Sequence, residues 1–291
     1  MKDVNKFTLG AAQFGMPYSL GSQLKRVSTK EIKKILDYAK IKGIDSIDTA
    51  GNYGESEIIL GSMDLRGWKI TSKLPPIPNN CRNVINWVND NLYSSLSNLQ
   101  LESLDSYLVH DADQLFSGFG DDIYRALEDA KKEGLIKKIG ISAYSNFEIL
   151  KILKKYHFEI YQTPLNIVDK TILEKGVAAH LKKLGVEIHV RSIFLQGLLV
   201  SKDHQNSSKF SFWRDLWNEY NAWLKKENIS SVEACLNFAK SIKQVDKIII
   251  GILNLEQLEM IISHTYRPLK IPDLRPKKIE NLIDPRSWKN L

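Results

Sequence analysis

The chain has 291 residues, of which 43% are apolar and 26% are charged, the composition of a globular protein with a substantial core. Its longest apolar stretches, such as residues 245–253, are too short and too interrupted to cross a bilayer. The first six residues lack the apolar core of a signal peptide. We therefore expect a cytoplasmic protein with no membrane partner.

The net charge is +7, and the lysines that produce it are scattered along the chain, often as Lys-Lys pairs. A nucleic-acid-binding protein would show a clustered basic stripe, preferably with aromatic side chains between the charges. We see neither feature and expect no nucleic-acid partner, although a basic protein suits a phosphate-bearing ligand. The two cysteines, Cys81 and Cys235, lack metal-binding spacing, so we predict reduced thiols and no metal site.

Strands and helices are predicted to alternate from the N-terminus onward. Residues 7–9 form a short apolar strand, and Ser28 and Glu31 have the spacing of a capping box at the start of a helix that ends at Gly43. The other predicted elements of the first half are strands at 44–48, 68–73, 103–109 and 138–142 and helices at 83–99 and 123–132.

The second half repeats the same alternation. Its predicted elements are helices at 147–156, 171–184, 210–226, 231–241 and 255–266 and strands at 160–163, 186–191 and 247–251. Strands that alternate with helices in this way form a parallel sheet, and eight such units in about 250 residues indicate a (β/α)8 barrel. A doubly wound sheet is the alternative, but it rarely needs eight such even units. We predict one α/β (β/α)8 barrel domain over residues 1–291, with a C-terminal tail from about residue 268.

The C-terminal ends of the strands of such a barrel open onto one mouth, where active sites lie. Four ionisable side chains at or near successive strand ends suggest proton transfer: Asp48, Tyr53, Lys73 and His110. Each also has a structural interpretation when taken alone, since a strand-end Asp is often a turn cap, a loop Tyr usually packs, and a single His is often structural. Four such residues converging on one mouth favour catalysis. The full set of polar residues and glycine at the predicted mouth is Gln13, Asp48, Tyr53, Lys73, His110, Ser142, Gln162, Asn166, Arg191, Ser192 and Gly251.

This set of side chains suits the reduction of a carbonyl group. Tyr53 is neutral at pH 7 and can donate a proton, and we expect the nearby Lys73 cation to favour the phenolate and lower the pKa of Tyr53. Asp48 would pair with Lys73 and hold it in position, and a neutral His110 would orient the substrate oxygen. No side chain can supply a hydride, so a nicotinamide cofactor must.

The chain resembles the aldo-keto reductase family over nearly its whole length. The most specific matching segment runs from Asp48 through Tyr53 to Glu57, and the late glycine-rich matches are weaker. The other matching segments are Leu9-Gly10-Ala11-Ala12-Gln13-Phe14-Gly15, Thr71-Ser72-Lys73, Tyr107-Leu108-Val109-His110, Lys138-Ile139-Gly140-Ile141-Ser142, Tyr161-Gln162-Thr163-Pro164-Leu165-Asn166, the segment from Arg191 to Leu199, and Ile250-Gly251.

The resemblance implies a (β/α)8 barrel, a catalytic tetrad and NADPH, or less often NADH, bound extended across the mouth. The implied catalytic residues are Asp48, Tyr53, Lys73 and His110. From their places at the predicted mouth, we expect Gln13, Phe14 and His110 to bind the substrate. Ser142 and Gln162 would hold the nicotinamide carboxamide. The other implied cofactor-binding residues are Arg191, Ser192, Gln196, Gly197, Leu198, Gly251, Asn254 and Gln257, with Asn254 capping the last helix.

The sequence departs from the family pattern at four places around the cofactor. Ala143 replaces an Asn that often follows the carboxamide Ser, and Arg191 stands where an aromatic residue often stacks on the nicotinamide. The segment after Gly251 lacks the Lys or Arg that usually binds the 2′-phosphate, and Ile261 replaces an Asn or Glu near the adenine. These departures leave NADH open as an alternative to NADPH.

The leading functional hypothesis is an NAD(P)-dependent oxidoreductase that reduces an aldehyde, ketone or sugar carbonyl, with Tyr53 as proton donor. The alternative is a cofactor-binding barrel with a regulatory or binding role and little turnover. Glycoside hydrolysis requires two facing carboxylates, and Glu55 and Glu57 are too close in sequence to serve. Gln13 and the basic charge favour a small hydroxylated or phosphorylated carbonyl substrate such as a sugar derivative. Aromatic residues that would line its pocket are Phe14, Phe116, Phe119, Phe194 and Trp213, which would otherwise pack under the loops.

Overall fold

Eight parallel strands pair in chain order, and the last strand pairs with the first to close a barrel. The computed structural model describes residues 4–18, 20, 25–144, 146–274 and 278–290. The predicted α/β class and (β/α)8 barrel are confirmed. The strands are β1 (Phe7–Gly10), β2 (Ser46–Asp48), β3 (Lys69–Leu74), β4 (Leu104–Val109), β5 (Ile136–Ser142), β6 (Ile160–Pro164), β7 (Glu187–Arg191) and β8 (Lys247–Gly251).

Helices surround the barrel and connect its strands. The described α-helices are Ala12–Gly15, Thr29–Ile41, Ser56–Gly61, Val84–Leu99, Gly120–Lys132, Asn146–Ile152, Val177–Lys183, Lys202–Gln205, Arg214–Glu227, Ser231–Ser241, Leu255–Ser263 and Ile279–Ile283. The described 3-10 helices are Val4–Lys6, Ala112–Phe116, Thr171–Gly176, Leu195–Val200, Ser208–Trp213 and Pro285–Asn290. No helix in the described ranges is long and apolar enough to cross a membrane.

The predicted helix at 171–184 is interrupted. A 3-10 turn occupies Thr171–Gly176 and the α-helix begins only at Val177. The interruption comes from Lys175 and Gly176, whose φ angles of 50° and 71° lie in the left-handed region. The predicted helix at 210–226 likewise begins as a 3-10 turn, Ser208–Trp213.

Only half of the predicted capping box at Ser28 and Glu31 forms. The Ser28 hydroxyl accepts a hydrogen bond from the Glu31 amide at 3.3 Å, as expected of an N-cap. The Glu31 carboxylate, however, does not return to Ser28. Its Oε1 accepts a hydrogen bond from the backbone amide of Leu255, at 2.8 Å, at the start of the helix that follows β8. The contact joins the first and last units of the barrel.

The C-terminal tail reaches the rim of the mouth. The Trp288 ring lies 5.0 Å from the Phe210 ring, and its indole N–H donates to the Leu282 carbonyl at 3.0 Å. Arg286 lies over one face of Tyr144, with 4.0 Å between its Cζ and the ring centroid. A single domain over residues 1–291 with a tail from about residue 268 stays a prediction.

Strand register brings the functional side chains level with one another. Gly10 at the end of β1 pairs with Asp48 in β2 and with Gly251 in β8. Ser142 at the end of β5 pairs with Gln162 in β6. The C-terminal ends of these strands therefore form one rim, which carries the residues described next.

Candidate active site

A buried ion pair lies at the centre of the mouth. Lys73 Nζ is 2.6 Å from Asp48 Oδ1, and the two side chains are 0% and 6% exposed. The same ammonium also donates to the Thr49 carbonyl at 2.7 Å. Burial lowers the pKa of Lys73, and the adjacent Asp48 carboxylate opposes that change. The pairing of Asp48 with Lys73 is the one expected from the sequence.

Tyr53 is carried by the loop between β2 and the helix Ser56–Gly61. Two glycines allow this loop to pack closely on the turn that follows β1. A Cβ on Gly15 would lie 1.9 Å from the Tyr53 carbonyl oxygen, and Gly54, with φ 58°, faces the Gly15 carbonyl. The Ser56 hydroxyl donates to the Ala11 carbonyl at 2.8 Å. These contacts fix the position of the Tyr53 backbone.

The four predicted catalytic side chains are brought together. The Tyr53 ring centroid lies 4.9 Å from Lys73 Nζ and 5.6 Å from the His110 ring, which meets it edge-on at 79°. Because Lys73 is bonded to Asp48, these contacts make one connected group of Asp48, Lys73, Tyr53 and His110.

The expectation that Tyr53 has a lowered pKa is wrong. Burial, and after it the Asp48 carboxylate, raise the pKa of Tyr53 above its ordinary value. Arg191 lowers the pKa of Tyr53 by less than these two effects raise it, so Tyr53 is a protonated phenol at neutral pH. Burial also lowers the pKa of His110 to about 3, with Lys73 and Arg191 adding to the effect, which leaves a neutral imidazole.

Gln162 extends the group toward β6. Its Nε2 donates to Asp48 Oδ2 at 2.7 Å, so both carboxylate oxygens of Asp48 are engaged. Its Oε1 is buried and has no hydrogen-bond partner among the described residues. A buried acceptor without a partner costs free energy unless a ligand or water supplies a donor. The N–H₂ group of a nicotinamide carboxamide is such a donor.

A cavity of about 350 Å³ opens beside this group. Its lining includes Asp48 and Tyr53, and also Leu253, Gln257 and Ile261. Its walls come from the ends of β1, β7 and β8 and the segments that follow them. Predicted site residues that line it are Gln13, Asp48, Tyr53, Arg191, Ser192, Gln196, Gly197, Gly251 and Gln257.

A second cavity of about 240 Å³ is lined in part by His110. Its lining includes Ser142, which the sequence assigned to the carboxamide, together with Asn52 and Tyr144. Tyr144 is held between two cations: Arg191 Cζ lies 4.1 Å from its ring centroid and Arg286 Cζ lies 4.0 Å away. Asp284 pairs with Arg286, whereas Arg191 has no carboxylate partner among the described residues.

Four predicted binding residues line neither cavity: Phe14, Gln162, Leu198 and Asn254. Phe14 is fully buried in the core, so its assignment to the substrate pocket is wrong. It belongs to the single helical turn Ala12–Gly15, in which Gln13 faces the cavity and Phe14 faces inward. The Leu198 side chain is also fully buried, which leaves only its backbone available to a ligand. Asn254 caps the helix Leu255–Ser263, as predicted, by accepting from the Gln257 amide at 2.9 Å.

Of the aromatic residues predicted near the pocket, some line a cavity and others do not. Phe194 lines the larger cavity. Trp213 is buried against Phe210, and Phe116 is half exposed at the surface. Sequence reasoning missed Tyr18, Tyr144 and Arg286, which reach the mouth from loops and the tail. Nothing in the spacing of these residues shows where a loop or tail will fold.

Comparison with known proteins agrees with this architecture. The family model described as Aldo/keto reductase family matches residues 6–276. The holo form of an aldo-keto reductase from Bacillus halodurans has a TM-score of 0.72 with 18% identity, and covers 95% of this chain and 91% of its own. At that identity the likeness shows the fold.

Two curated relatives are similar over part of their length. An NAD(P)H-dependent 6'-deoxychalcone synthase of Glycine max is 28% identical over 210 residues, which is 61% of this chain and 60% of the relative. An aldo-keto reductase of Monascus ruber is 22% identical over 228 residues, or 69% of this chain and 66% of the relative. The chain thus spans less than two thirds of either relative. The match of the family model to almost the whole sequence places this chain in the aldo/keto reductase family, whose members are NAD(P)H-dependent oxidoreductases.

Proposed function

We propose that this protein reduces the carbonyl group of an aldehyde, ketone or sugar to an alcohol, with Tyr53 as the proton donor. The observation that carries the proposal is the connected group of Asp48, Lys73, Tyr53 and His110, of which Asp48 and Tyr53 line the larger cavity and His110 lines the second. The raised pKa of Tyr53 and the lowered pKa of His110 leave both side chains neutral at pH 7, which suits them to hydrogen-bond a carbonyl oxygen.

Tyr53 and His110 would bind the carbonyl oxygen. A neutral phenol and a neutral imidazole can both hydrogen-bond an oxygen without adding charge to the site. As the oxygen gains negative charge it becomes a much stronger base than a phenolate, so it can take the Tyr53 proton even though the pKa of Tyr53 is raised. The phenolate that forms lies beside the Lys73 ammonium, whose Nζ is 4.9 Å from the ring centroid.

Asp48 is a positioning residue in this scheme. It holds Lys73 through one carboxylate oxygen and Gln162 through the other. It thereby keeps the Lys73 ammonium beside the Tyr53 ring. Because the Gln162 Nε2 is bound to Asp48, the Gln162 Oε1 stays free to accept from a ligand. Loss of the carboxylate would disturb both contacts.

The residues of the larger cavity fit a reduced nicotinamide dinucleotide. This cofactor would supply the hydride when bound. Gln162 does not line this cavity, but its Oε1, buried without a partner in the described ranges, is an acceptor that fits the carboxamide. Ser192, Gln196 and Gly197 line the cavity, and their φ angles are positive, at 58°, 50° and 93°. Backbone N–H groups in such a turn can bind a pyrophosphate. NADPH and NADH are both candidates, in keeping with the NAD(P)H-dependent soybean relative.

The second cavity supports a hydroxylated substrate such as a sugar derivative. Its walls carry Asn52, His110, Asp111 and Asp113, which offer donors and acceptors to hydroxyl groups. We also propose a cytoplasmic location, since both cysteines are free and burial raises the pKa of Cys235 to about 12, so that it stays an unreactive thiol.

The test is a comparison of wild-type protein with Tyr53→Phe. Binding of NADH and NADPH is followed by quenching of tryptophan fluorescence, and turnover by oxidation of the nucleotide with aromatic aldehydes, aldoses and keto sugars. We expect both proteins to bind the nucleotide and only the wild type to turn over. Tight binding with no reduction of any carbonyl would instead favour a binding or regulatory role.

A further inference from the structure

A buried carboxyl group that the proposed reaction does not use lies just beyond the Tyr53 loop. Glu57 belongs to the helix Ser56–Gly61, which begins where that loop ends, and it is 3% exposed. Among the described residues no Lys, Arg or His pairs with it. A buried polar group is costly unless it is hydrogen-bonded, so the partners of Glu57 indicate what it does.

Both oxygens of the Glu57 side chain accept hydrogen bonds from uncharged side chains. Ser72 Oγ donates to Oε1 at 2.6 Å, and Asn98 Nδ2 donates to Oε2 at 3.3 Å. Ser72 is fully buried and lies in β3 immediately before Lys73. Successive side chains of a strand point to opposite faces, so Ser72 faces the surrounding helices and Lys73 faces the barrel interior. Glu57 therefore holds β3 at the residue next to the buried ammonium.

The Tyr53 loop is attached to β3 on both sides of Tyr53. Before Tyr53, the Gly51 amide donates to the Lys73 carbonyl at 3.3 Å. After Tyr53, Glu57 accepts from Ser72. The phenol lies between these two attachments, and its ring centroid is 4.9 Å from Lys73 Nζ. The separation of the phenol and the ammonium thus depends on a hydrogen bond that includes neither group.

The start of the same helix is fixed to the neighbouring strands by Ser56. Its hydroxyl donates to the Ala11 carbonyl, just after β1, at 2.8 Å and accepts from the Thr49 hydroxyl, just after β2, at 3.0 Å. Of the side-chain hydrogen bonds between described residues, the one from Ser72 to Glu57 joins this helix to β3. Its loss would free β3 from the helix and leave the attachments to β1 and β2 in place.

We propose that Glu57 is a positioning residue for the reduction, which acts through Ser72 to set the distance between the Lys73 ammonium and the Tyr53 phenol. Neither Glu57 nor Ser72 lines either of the two cavities described above, so binding of the nucleotide and of the carbonyl compound should not depend on them. Proton transfer should, because a misplacement of about 1 Å can lower a rate by about 10²-fold. The inference rests on the proposed function, since it presupposes that Tyr53 donates a proton.

The experiment compares the wild type with Ser72→Ala, Glu57→Gln and the double variant Glu57→Leu/Ser72→Ala. Urea unfolding gives the stability, and steady-state oxidation of the nucleotide gives kcat and KM. Glu57→Gln keeps an oxygen acceptor for Ser72, whereas the double variant removes both partners and should regain part of the stability that Ser72→Ala loses. Asp105→Ala is the matched control, since Asp105 Oδ2 accepts from the Ile70 amide at 3.1 Å and holds the same strand farther from Lys73.

We expect Ser72→Ala and the double variant to lower kcat by about 10–100-fold, with the carbonyl KM and the nucleotide dissociation constant within about twofold of the wild type. The double variant should be more stable than Ser72→Ala and no faster. Glu57→Gln and Asp105→Ala should keep kcat within about threefold of the wild type.

The inference is wrong if kcat recovers together with stability in the double variant. It is also wrong if Glu57→Gln or Asp105→Ala is as slow as Ser72→Ala. Where Ser72→Ala does not fold, a double variant with wild-type kcat contradicts the inference equally. A wild type that reduces no carbonyl compound would instead overturn the proposed function on which the inference rests.

Discussion

Replacing Asp48 by Asn removes the counter-charge of a fully buried lysine. The variant keeps an acceptor near Lys73 Nζ, and the Thr49 carbonyl at 2.7 Å also remains. What is lost is the negative charge at 2.6 Å from an ammonium that is 0% exposed. Breaking a buried pair in this way costs about 3–5 kcal/mol, because one charge stays in a poorly solvated site. For a chain of 291 residues this lowers the unfolding midpoint by about 5–8 °C.

The loss of stability in Asp48→Asn should become smaller as the pH rises. Burial already lowers the pKa of Lys73, and removal of Asp48 lowers it further. Between that folded-state pKa and the unfolded value of about 10.4, the unfolded chain binds more protons, so stability rises with pH. The variant should therefore regain part of its stability as the pH rises toward the unfolded value of about 10.4, because Lys73 loses its proton in the folded state first.

Asp45→Asn is the matched control. Asp45 also pairs with a lysine, at 2.6 Å to Lys69, but these two side chains are 36% and 59% exposed. Exposed pairs contribute about 0–1 kcal/mol. The assay is urea unfolding followed by tryptophan fluorescence at several pH values. If Asp48→Asn is no less stable than Asp45→Asn, or if its stability falls as pH rises, the buried-pair description of the site is incorrect.

Three further predictions concern activity. Tyr53→Phe should lower kcat by about 10²–10⁴-fold with an unchanged nucleotide dissociation constant, measured by steady-state assay and fluorescence titration. Because the pKa of His110 is about 3, His110→Gln should lower the rate without changing the shape of the pH profile of kcat/KM between about pH 5 and pH 8. Gly15→Ala should lower kcat about 10²-fold by displacing the Tyr53 loop, whereas Gly118→Ala, where an added Cβ meets nothing within 4 Å, should be neutral in the same assay.

The fold could be predicted because the sequence patterns that mark each strand and helix are local. Each strand and helix is marked by its own apolar periodicity and by glycines such as Gly134 and Gly185 at helix ends. The order of elements then places Asp48, Lys73 and His110 at the same rim without any knowledge of distances. For the same reason the pairing of Asp48 with Lys73 could be foreseen from neighbouring strands, and the structure has it at 2.6 Å.

The features that could not be predicted depend on contacts between distant parts of the chain. Glu31 looked like half of a local capping box, yet it bonds Leu255, 224 positions away. Arg286 joins the mouth only because the tail folds back to Tyr144. The raised pKa of Tyr53 follows from the burial of its side chain and from the Asp48 carboxylate, which the sequence does not express. The inward direction of Phe14 follows from a one-turn helix at Ala12–Gly15 that has no signal of its own.

Transfer of a labelled hydride tests the central proposal most directly. NADH and NADPH that carry deuterium at the reactive C4 position are incubated with the wild type, with Tyr53→Phe and with a panel of carbonyl compounds, and the alcohols are analysed by mass spectrometry. The proposed chemistry predicts deuterium on the former carbonyl carbon with the wild type, and its loss in Tyr53→Phe although the nucleotide still binds. Tight nucleotide binding by the wild type with no labelled alcohol, or full transfer by Tyr53→Phe, would contradict it.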